Sequence, residues 1–372
     1  MSDTQEKITI LESALQRVQM KEDTERECEE VQQEIDKVQE KIRRLQKEKE
    51  FKSSVSEYLR DFMGDISERA NTPPISTGFE KLDRALGGGL FEGLYALGAV
   101  TSAGKSALVM QIADQIAQQG RDVIVIALEM SRFELMARSI SRHTYIRARE
   151  NRGRIEWAKT ARGITDGSRH QYYNQQEKTL IAAAMSDYSE YADHLYIFEG
   201  VGNIGVGDIR KLAEERVRDS ENGEKPIIII DYLQILAPAD VRASDKQNTD
   251  KAILELKRLS RDLKLPVIVI SSLNRESYKK GSEHKGEVTL DSFKESGAVE
   301  YSCDCLLGWQ FQSAGKEFDF EEEYKRDTRK MQIVILKNRQ GARGTKIDYN
   351  YIPMFNYSEE KPSESEQKRK AI

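Results

Sequence analysis

The sequence predicts an α/β protein with a mainly parallel central sheet, preceded by an N-terminal helical, coiled-coil segment. Three observations predict it. From residue 75 onward, short apolar runs of strand length alternate with amphipathic runs of helix length. Between the first of these strands and its helix lies Gly98-Ala99-Val100-Thr101-Ser102-Ala103-Gly104-Lys105-Ser106, which ends in the Gly-Lys-Ser of a phosphate-binding loop, G-x-x-x-x-G-K-S, with Ala99 at the place of that motif's first glycine and Gly98 one residue before it. Residues 1–52 are almost free of Gly and Pro and rich in Glu, Lys and Gln, as a solvated helix is.

At 372 residues the chain has room for one large domain and something smaller. A third of it is charged (33%) and the net charge is −5, which points to a soluble protein; no apolar run approaches the roughly 18 residues of a membrane span. MSDTQEKITI has no basic start followed by an apolar core, so no secretory signal is expected and a cytoplasmic location is. Cys28, Cys303 and Cys305 form neither a disulfide framework nor a metal spacing and read as reduced thiols. The acidic balance argues mildly against nucleic acid as a partner, although a ring with a small basic channel would still be acidic overall.

Within residues 1–52, Ile8, Leu11, Leu15 and Val18 step by 3 and 4, as do Cys28, Val31, Ile35, Val38, Ile42 and Leu45. The two series are out of register across the charged stretch 21–27, so they form one helix with a skip or a helical hairpin. Oligomerisation or docking of a partner protein is the expected use. A helix over residues 53–69 carries the apolar stripe Val55, Tyr58, Leu59, Phe62 and Met63, and Pro73-Pro74 stops it. Residues 53–74 therefore read as a linker, and 75–357 as the main domain. Strands are expected at 122–128, 194–198, 227–230, 266–270, 331–336 and 346–349. Helices are expected from Ser131, whose Ser-x-x-Glu makes a capping box, and over 208–217 and 248–263. Residues 303–307 read as a buried strand, residues 146–192 as partly helical, and the charged tail 358–372 as disordered.

The chemistry begins at the loop. Ser102, Ala103, Gly104, Lys105, Ser106 and Ala107 would bind nucleotide: backbone N–H groups curl around phosphate oxygens, and the following helix adds its positive end. Lys105 supplies a point charge, and Ser106 with Asp231, which ends the apolar run 227–230, supplies oxygen for Mg²⁺. Glu129, at the end of the strand after the loop's helix, is a candidate general base on the sheet edge where ligands lie.

Together these segments resemble the ATPase domain of DnaB-type replicative helicases, a RecA-like P-loop family. Ile75-Ser76-Thr77-Gly78-Phe79 with Leu82-Asp83, Ala127-Leu128-Glu129-Met130-Ser131, Ile230-Asp231-Tyr232-Leu233-Gln234, Ser271-Ser272-Leu273-Asn274-Arg275, Phe293-Lys294-Glu295-Ser296-Gly297 and Lys337-Asn338-Arg339-Gln340-Gly341 match in order, over about residues 55–350. The resemblance implies ATP as fuel, Mg²⁺ as cofactor and Glu129 as base. It implies that Lys337 and Arg339 reach a neighbouring subunit's ATP, with Arg339 as the arginine finger. It implies single-stranded DNA against Lys294, Glu295 and Gly297, and a homo-oligomeric, hexameric ring held by the 53–69 helix. Charge alone does not suggest DNA, since residues 275–295 carry five basic and five acidic side chains.

Two departures stand out. The family's glutamine in its "SQLNR" segment is Ser272 here, too short to reach as far toward a γ-phosphate. Residues 1–52 read as coiled coil and not as the family's globular N-terminal domain, so primase recruitment is not carried over. A non-unwinding DNA clamp or assembly ATPase is the alternative function, and a scaffold whose ATP site only sets its shape is a third.

Overall fold

The structure is a computed structural model that describes residues 37–45, 54–56, 58–71, 73–100, 102–151, 153–200, 203–220, 224–273, 286–293, 297–315 and 319–362. It divides into two compact units, Met1–Pro73 and Pro74–Ile372. In the first, residues 37–45 are helical; the rest of the expected coiled coil lies outside the described residues. Helix α1 is Leu59–Asn71, shorter at its start than the expected 53–69. Its Leu59, Phe62, Met63 and Ile66 are all exposed.

The second unit opens on a polar knot. The Asp83 carboxylate accepts from the Ser76 hydroxyl (2.6 Å), the Thr77 amide (2.8 Å) and the Thr77 hydroxyl (2.7 Å), fixing the turn into α2, Glu80–Leu86. The sheet that follows has nine strands in the order β3-β2-β4-β5-β1-β6-β7-β8-β9. The first six in that order are parallel: β3 (Leu195–Glu199), β2 (Val123–Ala127), β4 (Ile227–Asp231), β5 (Pro266–Ser272), β1 (Gly93–Ala99) and β6 (Cys305–Phe311). The last three, β7 (Arg329–Asn338), β8 (Lys346–Ile352) and β9 (Tyr357–Glu360), are antiparallel.

Strand β4 shows why this sheet forms. Ile227 and Ile229 enter one apolar cluster with Leu108, Ile112 and Ile116 of α3 (Lys105–Ala117). Ile228 and Ile230 enter another with Ile209 of α6 (Val206–Asp219) and Leu256 and Leu259 of α7 (Asp245–Leu263). Side chains alternate faces along a strand, so a sheet covered on both sides demands an unbroken apolar run. Helices α4 (Arg132–Glu150) and α5 (Gln175–Ser189) bracket two short helical turns, so most of 146–192 is helical. The Ser131 capping box is formed, with Glu134 accepting from the Ser131 amide at 2.9 Å. Helices α8 (Gly297–Ser302) and α9 (Phe320–Lys325) flank β6.

Two expectations are corrected. The run at 303–307 is strand only from Cys305; Asp304 stands before it as a junction residue. Both cysteines are buried and unpaired, and among the described residues no group of three or more His, Cys, Asp or Glu could hold a metal. The tail does not leave the fold at residue 358. Tyr357–Glu360 pairs with β8, and Ser358 is buried, its amide and carbonyl both held by the Gln111 side chain at 2.8 Å. The glutamates that made this stretch look disordered include a helix cap: Glu360 accepts from the Lys81 and Leu82 amides at the start of α2, both at 2.9 Å.

Candidate active site

Strand register brings the expected nucleotide residues to one edge of the sheet. Ala99, where the phosphate loop leaves β1, pairs with Ser272 at the end of β5. Ala127, two residues before Glu129, pairs with Asp231 at the end of β4. Lys105, Ser106, Glu129 and Asp231 thus share the carboxyl edge, as ligands of open α/β sheets require. Thr101 of the loop lies outside the described residues.

The loop is built from within and below. Gly104 has φ of 95°, and a Cβ there would lie 2.5 Å from the Tyr351 ring, so only glycine turns this corner. Trp309 donates from Nε1 to the Ala103 carbonyl at 2.8 Å. Arg329 donates from Nη1 to the Ser102 carbonyl at 3.1 Å and lies over the Tyr324 and Tyr351 rings. Lys105 folds over the loop and donates from Nζ to the Ala99 and Val100 carbonyls, at 3.1 and 3.3 Å. These bonds to neutral acceptors leave the ammonium poorly compensated. Burial lowers its pKa, against the pull of Asp231 and Glu129.

Asp231 is buried, and desolvation raises its pKa; a hydrogen bond from Ser106 opposes this, and the Glu129 charge adds to it. Two hard oxygens side by side, one on a carboxylate whose charge is destabilised by burial, suit a small oxygen-seeking cation such as Mg²⁺. The positive charge of Arg138 on α4 also acts on Asp231 and on the Tyr351 phenol, opposing the rise in pKa that burial gives each. Ser272 meets Gln234, its amide donating to Gln234 Oε1 at 3.4 Å, so a glutamine side chain does stand at this strand end, from a different position.

Lys337 and Arg339 lie elsewhere. Asn338 pairs with Cys305, and Tyr95, near the start of β1, pairs with the same Cys305. Lys337 pairs with Leu306, level with Ala96, and Arg339 follows at the level of Leu94, so they lie about 10 and about 16 Å from Ala99 toward the amino edge of β1, at the strand's rise of ~3.3 Å per residue. Lys337 Nζ donates to the Glu300 and Tyr301 carbonyls at 2.6 and 3.3 Å; burial, then the Arg339 charge, lowers its pKa. Of the expected DNA residues, Gly297 begins α8, while Lys294 and Glu295 lie outside the described residues.

Sequence reasoning missed Trp309, Arg329, Tyr351 and Arg138. The first three come from β6, β7 and β8, some 200 residues beyond the loop, and only the aromatic alternation Tyr349-x-Tyr351 hinted at an inward face. Arg138 follows Glu134 by one helical turn but carries no motif spacing of its own.

The model of the DnaB-like helicase C terminal domain matches residues 74–357. The replicative DNA helicase DnaB of Haemophilus influenzae is 27% identical over 297 residues, covering 76% of this chain and 55% of that protein. The replicative DNA helicase DnaC of Bacillus subtilis is 27% identical over 309 residues, covering 81% and 58%. The chain thus spans a little over half the length of these relatives. Its fold matches a solved ATPase domain (TM-score 0.68, 21% identity, 83% of this chain and 99% of that one). It also matches a DnaB-like replicative helicase described with its primase interactions (TM-score 0.70, 20% identity, 96% and 76%).

Proposed function

This chain belongs to the DnaB-like helicase C-terminal domain family, and from that premise we propose that it is an ATP-dependent, ring-forming DNA helicase acting in replication. In this reading Ser102 to Ala107 cradle the phosphates of ATP, and Lys105 leaves its loop carbonyls to pair with the β- and γ-phosphates. Ser106 and Asp231 hold Mg²⁺, which neutralises charge on the phosphate oxygens when bound. Glu129 orients a water and takes its proton. Lys337 and Arg339 of the adjacent subunit supply positive charge where it develops in the transition state. Single-stranded DNA runs past the 294–297 loop, held through phosphates and without sequence preference.

The observation that carries this reading is the separation of the two sheet edges. The loop at one edge and Arg339 toward the other, about 16 Å apart by strand rise, do not meet on one nucleotide. Joined head to tail, two copies can, and head-to-tail contacts whose rotation closes make rings.

Mixing tests it. Glu129→Gln and Arg339→Ala subunits should each keep only a small residual turnover alone, at least ~100-fold below wild type. In a random mixture, roughly a quarter of interfaces would combine an intact loop and base with an intact finger. Mixed rings should therefore regain ATP turnover, and wild-type rings should displace a strand from a forked DNA. No recovery on mixing would overturn the shared site. DNA-stimulated turnover without strand displacement would favour the clamp, the reading to which Ser272 lends weight.

A further inference from the structure

We propose that Asp304 is the residue that positions Arg339 for the neighbouring subunit's nucleotide; the inference rests on the finger reading above. Asp304 is the junction between α8 and β6, and its backbone ties two strands together. Its amide donates to the Leu94 carbonyl at 2.8 Å, and its carbonyl accepts from the Arg339 amide at 2.9 Å. Its side chain, 17% exposed, gives each of its two oxygens a different set of partners. Oδ2 accepts from the Leu94 amide at 2.8 Å and from the ammonium of Lys257 on α7. Oδ1 accepts from Arg339 Nη1 at 3.3 Å, while Arg339 Nη2 donates to the Tyr301 carbonyl at 2.9 Å.

Close approach at β1 makes this possible. A Cβ on Gly93 would lie 3.0 Å from Asp304 Oδ2, tighter than most contacts, so glycine gives the carboxylate its seat. Once seated, Asp304 is anchored by a strand amide and a lysine, and its second oxygen faces the guanidinium. Arg339 remains 51% exposed, so this ion pair adds little to stability. What it does is hold a long, rotamer-rich side chain in one direction before phosphate arrives, and a misplacement of about 1 Å can cost on the order of 100-fold in rate. The strand that anchors Asp304 at Leu94 also carries the phosphate loop at Ala99. The loop a subunit owns and the finger it offers are thereby fixed to one rigid element.

The test is steady-state ATP turnover of the full chain, assembled on single-stranded DNA. Asp304→Asn should lower kcat by about 10-fold, with KM for ATP within about twofold, measured well below the variant's own thermal midpoint. The double variant Asp304→Asn/Arg339→Ala should be no slower than Arg339→Ala alone, because both act through one group. An unchanged kcat for Asp304→Asn, or additive losses in the double variant, would overturn the proposal. Should Asp304→Asn not fold, Lys257→Gln loosens the same carboxylate from the helix side. It should lower kcat by roughly two- to threefold, again without adding to Arg339→Ala; no effect or additivity overturns the proposal equally. Full turnover by Arg339→Ala would overturn the finger reading itself, and this inference with it. An Arg339→Ala reduced to residual turnover beside a fully active Asp304→Asn would overturn the positioning role alone.

Discussion

Lys105 and Asp231 carry the cost of this site in their surroundings. Each is a charge that burial disfavours, and each has that shift opposed by the other across the site. The proposed nucleotide and its metal would supply the missing counter-charges, so binding and turnover separate cleanly by residue. Lys105→Ala should abolish ATP binding, measured by equilibrium dialysis. Glu129→Gln should leave binding within about threefold and lower kcat by at least ~100-fold, the scale of a lost general base. Retained turnover in Glu129→Gln would move the base elsewhere, and a scaffold reading would gain. Ser272 shows the limit of reading one position by itself. Its motif position predicts a missing glutamine, yet Gln234 reaches the same strand end from another element.

At the scale of elements, β9 is the correction with most consequence. Its residues are those of a solvated tail, and no sequence pattern separates Glu360 from its exposed neighbours. Tertiary contact decides what Glu360 does, by bringing it to two amides at the first turn of α2, far away in sequence. A carboxylate there satisfies free N–H groups and meets the positive helix end. Glu360→Ala should destabilise the protein by about 1–2 kcal/mol, the range of a lost helix cap, measured by urea unfolding. A change below a few tenths would show the contact to be idle. The parallel strands were legible for the opposite reason. Buried on both faces, they permit little besides unbroken apolar runs, and β2, β4 and β5 announce themselves.

For the whole molecule, the decisive feature is that the expected site residues fall toward two opposite edges of the sheet. Ala99 and Ala127 deliver the phosphate loop and Glu129 to one; Asn338, flanked by Lys337 and Arg339, lies at the other. ATP turnover per subunit should therefore fall on dilution through the assembly threshold, and light scattering should show the loss of oligomer at the same concentration. Turnover that is constant per subunit down to monomer would refute a shared site. The exposed apolar residues of α1, Leu59, Phe62, Met63 and Ile66, are suited to burial against another copy in such an assembly.

By itself the sequence determined the α/β class, the phosphate loop, the strand-end acids and the order of the family's segments. Each of these is written in local spacing: a turn that needs glycine, a run that needs two buried faces, an acid at the end of a strand. Only the tertiary structure decided which residues brace the loop, that Glu360 holds α2, and that Asp304 lies between β1 and Arg339. Those contacts join residues dozens to hundreds of positions apart through strand register. Register is set by the packing of the whole sheet, and no window of the sequence contains it.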